Sequence, residues 1–521
     1  MKKILLILFL IPVLFSCHKK KEKGYTDRFV NLAFDSSVRS LDPRISNDYP
    51  SVHLINMLYE GLMRLGPNGE ILPGVAESVD ISEDQCSYLF HLRDSKWSNG
   101  DPVTAYDFEY AWKKSVDPAT AKNGAFTFYA IKNVEACLHK EVSIEEVGIR
   151  ALDSKTFEVT LEHPAPYFLS LCTCGTYSPV HKQLSQDSFS QTGPFNGPFV
   201  LKSWRKNVEL CIEKNPSYWD AGAVALPGIR IYIIQDNHTQ LCMFEKNELD
   251  WMGQPFTPFP LDCLGDSQIT SQIEYIDVYG LVWYFVNTQK PPFSNKNFRK
   301  AVAYALDRSA ITEHILQFGE EPAMGILNQE LSVQNKPYFE DGNIALAKEY
   351  FSKALEELAL TEEDLSFVLS HFSGTTTSRI AQAVQGQLRQ TLGLKVEVHQ
   401  TDWPVLFNQL TKGDFEIGQV TWSSWLRDPI YMLDTFRSQN LATNMSRWEH
   451  PRYQELLSLS DHETNPVKRK EYLRQAEELL MEEMPVIPLC YVKLQYLRNP
   501  RLKGVYVSPL KEVDFRYAYF E

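Results

Sequence analysis

Two tryptophans three positions apart, Trp422 and Trp425, enclose Ser423 and Ser424, and these four residues are suited to contact a ligand. Flat aromatic rings beside hydroxyl groups and free main-chain groups form the wall that a cleft for a flexible ligand needs. The run is poorly shaped for close packing. Burial of both rings in a core is the alternative explanation, and these residues alone do not decide between the two.

The element that must position the tryptophans is the stretch 414–429. Its large apolar residues alternate with smaller or polar ones, apart from one slip at Gly418, and they are Phe415, Ile417, Val420 and Trp422. This alternation predicts a strand with one buried face, which ends before Asp428-Pro429.

Catalytic and metal-binding patterns are missing from the sequence. It contains no Gly-x-Ser-x-Gly, no His-Glu-x-x-His and no phosphate-binding glycine-rich loop. Cys172 and Cys174 are flanked by His163 and His181, but this spacing matches no zinc pattern. We therefore expect a protein that is not an enzyme, that needs no cofactor or metal, and whose cysteines beyond Cys17 are buried free thiols.

The first 17 residues combine Lys2 and Lys3 with the apolar run Ile4–Phe15, which predicts a secretory signal peptide. Its end, through Ser16 to Cys17, resembles a bacterial lipoprotein processing site, which implies that Cys17 carries lipid. An ordinary signal peptide with an incidental cysteine is the alternative. Residues 18–27 are then a solvated tether.

Charge and size restrict the partners and the architecture. The chain has a net charge of −14, and its first 24 residues carry six Lys and one Glu, which leaves −19 on the body. This charge excludes nucleic acid as an expected partner. A chain of 521 residues with 44% hydrophobic residues is too long for one core, so we expect two or three lobes.

Helix signals are clear at several places. Val52–Leu65 has leucines on one face and is predicted as one helix, and Thr104 with Asp107 forms a variant capping box. Asn343–Leu360 is amphipathic, and Ile380–Leu392 is closed by Gly393.

A long gapped pattern runs from Leu41 to Phe108. It reads Leu-Asp-Pro, Tyr-Glu-Gly-Leu, Pro-Gly-Val-Ala-Glu-Ser, Phe-His-Leu-Arg and Lys-Trp-Ser-Asn-Gly-Asp-Pro-Val-Thr-Ala-Tyr-Asp-Phe. It resembles the signature of the oligopeptide-binding proteins, which are the extracytoplasmic solute-binding components of peptide importers of the ATP-binding cassette (ABC) type. Further blocks at Gly197–Asp220 and Val286–Phe293 extend the resemblance from Arg28 to the C-terminus.

The resemblance implies an α/β fold of the periplasmic-binding-protein type (type II), with two hinged lobes and an additional domain. The implied divisions are 28–60 with 185–280 and 498–521 for lobe I, 61–184 for the additional domain, and 281–497 for lobe II. The implied function is to capture peptides by hinge closure and deliver them to an ABC permease. The resemblance also implies a monomer that is lipid-anchored in the periplasm or at the cell surface.

The resemblance also implies which residues contact the ligand. The residues implied to make main-chain contacts are Asn47, Asp48 and Tyr49 in one segment and Thr421, Trp422 and Ser423 in another. Trp403 matches an aromatic residue of the binding pocket.

Two departures stand out. Trp425 replaces the Asp that pairs with the peptide ammonium in relatives, and Gln419 replaces an Arg that can meet a peptide carboxylate. Asp428, Asp48 and Asp402 are candidate substitutes for the missing acid. We hypothesise a non-standard reading of the peptide N-terminus. The alternative is another cargo on the same scaffold: haem, a metal chelate, glutathione or a cell-wall peptide.

Overall fold

The structure is a computed structural model that describes residues 28–46, 48–121, 124–182, 184, 193–260, 267–334, 336–361 and 365–521. The predicted signal peptide, Cys17, the tether and Asn47 lie outside the described residues.

Strands and helices are interspersed along the chain. The strands are β1 (Val30–Phe34), β2 (Met63–Leu65), β3 (Ile71–Pro73), β4 (Ala76–Ile81), β5 (Ser87–Leu92), β6 (Ile149–Ala151), β7 (Thr156–Thr160), β8 (Phe199–Arg205), β9 (Glu209–Lys214), β10 (Gly228–Ile233), β11 (Trp251–Gly253), β12 (Glu274–Val286), β13 (Glu321–Pro322), β14 (Ser366–Phe372), β15 (Lys395–Thr401), β16 (Ile417–Ser423), β17 (Val486–Arg498), β18 (Leu502–Lys503), β19 (Tyr506–Val507), β20 (Val513–Asp514) and β21 (Tyr519–Phe520). The α-helices are α1 (Tyr49–Leu58), α2 (Ala105–Val116), α3 (Val134–Leu138), α4 (Phe168–Leu171), α5 (Asn237–Glu245), α6 (Ser267–Thr270), α7 (Lys296–Tyr304), α8 (Arg308–Ile311), α9 (Ile344–Leu358), α10 (Thr375–Leu392), α11 (Trp403–Lys412), α12 (Ile430–Asp434), α13 (Pro451–His462) and α14 (Pro466–Glu483).

Two large hydrophobic cores divide these elements. The first core contains two four-stranded sheets, with strand orders β1-β10-β9-β8 and β4-β5-β7-β6, and takes in residues from Val30 to Val278 and again from Leu494 to Ala518. The second core surrounds a sheet of order β11-β17-β12-β16-β14-β15, with β13 paired to β17, and takes in residues from Tyr279 to Cys490. We call the two bodies the first lobe and the second lobe.

Two long paired strands join the lobes. Both β12 and β17 span 13 residues, and each contributes side chains to both cores. Their antiparallel register shifts between Asp277 and Leu281, where the chain passes from one core to the other. A bulge at this point bends the pair locally, which is the geometry expected of a hinge. The residue boundaries predicted for the domains stay a prediction.

Local sequence signals are confirmed where the cap is made within the element. Thr104 caps α2, and its main-chain N–H donates to Asp107 at 2.8 Å. Helix α10 ends at Leu392 and is capped by Gly393, whose φ of 69° is the left-handed conformation that glycine adopts readily.

The predicted helix Val52–Leu65 is wrong in its second half. Helix α1 ends at Leu58 because distant groups take over its last main-chain bonds: the Leu58 carbonyl accepts from the Gly197 N–H at 2.9 Å, and the Glu60 N–H donates to the Asn196 side chain at 3.1 Å. Such contacts are invisible to a helical periodicity.

The break in alternation at Gly418 does not interrupt the predicted strand. Strand β16 pairs with β12 from Ile417 to Ser423 without a register shift. The apolar residues move from odd-numbered to even-numbered positions because the first residues of this central strand are buried on both faces. A Cβ at Gly418 would lie 2.4 Å from Leu410 Cδ2 of α11, so a larger residue there would require the buried Leu410 side chain to move.

Candidate functional site

A cleft lies between the two lobes and contains two adjoining cavities. The larger, of about 810 Å³, is lined by first-lobe residues such as Asp236 and by second-lobe residues such as Phe372. The smaller, of about 370 Å³, lies on the first-lobe side against α1. The residues that line both cavities are Gln254, Pro258, Thr421 and Val492.

An unpaired strand edge borders this cleft. On one side β16 pairs with β12 along its whole length, but on the other side only Ile417 and Gly418 pair with β14. In the part of the chain that the structure describes, no strand pairs with that side of β16 from Gln419 to Ser423. An unpaired edge presents main-chain donors and acceptors to any extended chain laid beside it.

Gln419 and Thr421 point from β16 into the cleft. They pair with Tyr284 and Val282 of β12, and both contribute to the wall of the larger cavity. The Gln419 side chain is buried, and the Tyr284 hydroxyl donates to its Oε1 at 3.4 Å. A neutral amide therefore occupies the position where relatives are expected to carry a guanidinium.

The Trp422 ring does not form a wall of the cleft, contrary to the expectation for both tryptophans. Side chains alternate along a strand, so its indole lies on the opposite face from Thr421. There it stacks on Trp283 with centroids 5.8 Å apart and meets Phe285 edge-on at 5.9 Å. The core explanation holds for this ring, and the residue can reach a ligand only through its main chain.

The Trp425 ring faces the first lobe. Its side chain is 47% exposed, and it stacks on Tyr49 with ring centroids 6.5 Å apart and planes 9° apart. Tyr49 begins α1 and lines the smaller cavity. Asp48 caps this helix by accepting from the Ser51 N–H at 3.1 Å. Tyr49 of the first lobe and Trp425 of the second therefore meet across the cleft.

Trp403 lies beside the cleft. It begins α11, is 43% exposed and meets Phe372 edge-on at 6.0 Å. Phe372 lines the larger cavity. Trp403 is thus one side chain removed from the cavity wall.

The candidate substitutes for the missing acid have other partners. Asp428 is buried and accepts two hydrogen bonds from the Arg469 guanidinium, at 2.8 and 2.9 Å, and one from the Ile430 N–H at 2.9 Å. Asp402 precedes α11 and accepts from the Ser373 hydroxyl at 3.4 Å. Asp428 therefore has a structural role, as its place before Pro429 indicates.

Lys511 is a cleft residue that the sequence did not reveal. Its Nζ donates to Ser423 Oγ at 2.9 Å and lies 5.7 Å from the centroid of the Tyr49 ring. Burial lowers the pKa of the Lys511 ammonium to about 8. It is a lone lysine in a loop 88 residues from Ser423, so no motif pointed to it.

The candidate metal ligands have separate environments. His181 pairs with Asp101 at 2.9 Å, whereas the His163 ring lies 6.0 Å from that of His462. The described residues contain no group of three or more His, Cys, Asp or Glu side chains placed to hold a metal ion. The cysteines they include are free, and some of these are buried and others partly or fully exposed. Nor does any helix in the described ranges have the length and apolar character needed to cross a membrane.

Two lobes joined by a bulged strand pair, with cavities and an unpaired strand edge between them, define a solute-binding fold that can close over its ligand. The chain belongs to the bacterial extracellular solute-binding proteins, family 5. The model of that family, described as "family 5 Middle", matches residues 70–444. The fold expected from the resemblance is confirmed.

The relatives include the oligopeptide-binding protein OppA of Bacillus subtilis, which is 36% identical over 96% of this chain and 94% of its own length. A periplasmic oligopeptide-binding protein (OppAIV) from Borrelia burgdorferi has a similar structure, with a TM-score of 0.80, 26% identity and coverage of 95% of this chain and 100% of that chain. The structure of Listeria monocytogenes OppA bound to peptide superposes with a TM-score of 0.76 at 27% identity, covering 95% and 99% of the two chains.

Proposed function

We propose that this protein captures peptides in the cleft between its lobes and delivers them to an ABC permease. The relatives named above are oligopeptide-binding proteins, and one of them is known with peptide bound. The proposed contacts are the segments Asn47–Tyr49 and Thr421–Ser423, together with Trp403, Gln419 and Trp425.

The unpaired edge of β16 carries this proposal. A peptide laid along Gln419–Ser423 would extend the sheet of the second lobe, and its main-chain hydrogen bonds would provide affinity whatever its sequence. The larger cavity, about 810 Å³ beside Thr421, leaves room for varied side chains and water.

Closure of the hinge gives the permease a shape to recognise. A ligand that contacts both lobes favours the closed form by its differential affinity for that form. The lobes already meet at the Tyr49–Trp425 stack and at the Arg427 guanidinium, which donates to the Gly69 carbonyl at 3.0 Å. We propose that Cys17 carries the lipid that anchors the protein at the membrane, and that the protein acts as a monomer and has no enzymatic activity.

The other cargoes considered for this scaffold are not favoured. The OppA relative of Bacillus subtilis, at 36% identity, is named for oligopeptides, and a second related protein of that organism, at 32% identity, is named for dipeptides. A neutral main-chain edge next to aromatic side chains also suits an extended peptide better than a planar macrocycle.

Mass spectrometry of small molecules released from the purified protein tests the proposal. We expect peptides of a few residues with varied sequences. The recovered peptides, added back to stripped protein, should reduce its radius of gyration in solution scattering. A single non-peptide guest, or binding without compaction, would contradict the proposal. A Soret absorption band on mixing with haem would point to the alternative cargo.

A further inference from the structure

Lys511 places a cation at the point where the two lobes and the strand edge meet. It lies in the loop between β19 and β20, in the first lobe, with a left-handed φ of 68°. Its ammonium donates to Ser423, the last residue of β16 in the second lobe, and it contributes to the wall of the smaller cavity together with Thr421. The charge therefore stands beside the proposed path of the peptide.

No acidic side chain of the described residues forms an ion pair with Lys511; its contacts are the Ser423 hydroxyl and the face of the Tyr49 ring. Among the other titratable groups of the same cavity, Asp35 accepts from the Ser36 hydroxyl at 2.8 Å, and burial lowers the pKa of His53 to about 4, so that this imidazole is neutral at pH 7. Lys511 is partly buried. A cation shielded from water without an anion is costly, and a ligand that brings the anion reduces that cost.

We propose that the Lys511 ammonium binds a carboxylate of the ligand, next to the Thr421–Ser423 edge. This inference rests on the proposed function and names the chemistry that the cleft selects. The carboxylate is either the terminal carboxylate of the peptide or an Asp or Glu side chain. Because Ser423 holds the ammonium from the second lobe, the new ion pair would also help to keep the lobes closed.

The position of Lys511 explains why Trp425 can stand where relatives are expected to carry an Asp. A peptide ammonium near Trp425 would meet the positive charge of Lys511 and no free carboxylate from Asp428, which is paired with Arg469. Like charges at close range repel, and they repel more strongly where burial limits screening by water. The end of the site that relatives use for an ammonium is therefore suited here to a neutral or anionic group.

Two peptide mixtures test the proposal: random tetrapeptides with free C-terminal carboxylates, and the same tetrapeptides with C-terminal amides. Each is passed over wild-type protein, Lys511→Met and the matched control Lys503→Met, and the retained peptides are identified by mass spectrometry. Lys503 lies on β18 in the same C-terminal segment and lines neither cavity of the cleft. Methionine keeps the apolar stem of the lysine, and melting curves check that each variant is folded.

We expect wild type and Lys503→Met to retain peptides that carry a carboxylate at least about fivefold better than amidated peptides without Asp or Glu. Lys511→Met should lose this discrimination while still retaining peptides. If amidated peptides that contain Asp or Glu are retained, the carboxylate that Lys511 binds comes from a side chain. If these peptides are not retained, it is the terminal carboxylate. Equal retention of all peptides by wild type, or discrimination that persists in Lys511→Met, would overturn the inference about Lys511 and leave the proposed function standing. If wild type retains no peptide, the proposed function fails as well.

Proton uptake gives an independent readout. An ion pair raises the pKa of an ammonium, so binding of a retained carboxylate peptide near pH 8 should take up protons, because Lys511 starts with a pKa of about 8. Calorimetry in two buffers of different ionisation enthalpy measures this uptake. Wild type should take up a substantial fraction of one proton and Lys511→Met almost none; equal uptake by both proteins would contradict the role of Lys511.

Discussion

The ring of Trp425 on the second lobe lies nearly parallel to the ring of Tyr49 on the first, with 9° between the planes and 6.5 Å between the centroids. Trp425 follows the unpaired edge of β16 and Tyr49 begins α1, so the stack joins two residues that are predicted to contact the ligand. A side chain that is 47% exposed adds little to the second core. The position is therefore free to serve binding.

Replacement of Trp425 by alanine should weaken peptide binding about fivefold with little change in melting temperature. The lost aromatic contact is worth about 1 kcal/mol. Trp422→Ala is the matched control, because that ring stacks on Trp283 in the core, and it should cost about 3 kcal/mol of stability. Calorimetric binding and thermal melting of both variants check this. If Trp425→Ala lowers the melting temperature as much as Trp422→Ala does, Trp425 belongs to the core.

N-acetylation of a peptide should weaken its binding by no more than about thirtyfold. No carboxylate at the Trp425 position is available for an ammonium, and a cation–π contact with the indole is worth only about 0.5–2 kcal/mol. Free and acetylated forms of one retained peptide, compared by calorimetry, measure the difference. A preference of a hundredfold for the free amine would show that another acid reads the N-terminus.

Asp428 should matter for stability and not for the ligand. Asp428→Asn leaves the buried Arg469 guanidinium without its bidentate partner, which typically costs about 3–5 kcal/mol. Urea unfolding followed by tryptophan fluorescence should show an earlier transition, whereas peptide affinity at low temperature should stay within about twofold. A loss of peptide affinity with an unchanged urea transition would show that Asp428 contacts the ligand.

The sequence was informative where short-range chemistry decides the structure. Thr104 with Asp107, and Gly393 after Leu392, mark helix ends that the structure confirms. The second half of Val52–Leu65 could not be predicted, since Asn196 and Gly197 take the main-chain bonds that would have continued the helix.

The site was predicted as segments rather than as side-chain directions. The alternation in 414–429 located the strand, but only the pairing with β12 shows that Trp422 turns to the core. The unpaired edge of β16 depends on where β14 diverges, and Lys511 depends on a contact with Ser423 far along the chain. Neither leaves a local signal in the sequence.

Glu477 should make stability depend on pH. It is buried, and burial raises the pKa of its carboxyl from 4.5 to about 7 although the Tyr338 hydroxyl and the N–H groups of Ile326 and Leu327 donate to it. The folded state therefore binds the proton more tightly than the unfolded state does. Its contribution to stability is fully present below about pH 4.5 and is lost as the pH rises to about 7, a change of about 3 kcal/mol.

Glu477→Gln should remove this part of the pH dependence, because the amide stays neutral and keeps an acceptor for the two N–H groups. Denaturation midpoints at pH 5 and pH 7.5 measure the effect as a difference between variant and wild type. This comparison cancels the contribution of Glu512 in the first lobe, where burial also raises the pKa to about 7. Parallel pH profiles for the two proteins would contradict the assignment.

Hydrogen–deuterium exchange tests most directly whether a peptide pairs with the edge of β16. Exchange is followed in stripped protein and after addition of the peptides recovered from it. The amides of Gln419–Ser423 that face away from β12 should become at least about tenfold slower to exchange when peptide is bound. Peptide binding that protects other parts of the cleft and leaves Gln419–Ser423 unchanged would contradict strand addition at this edge.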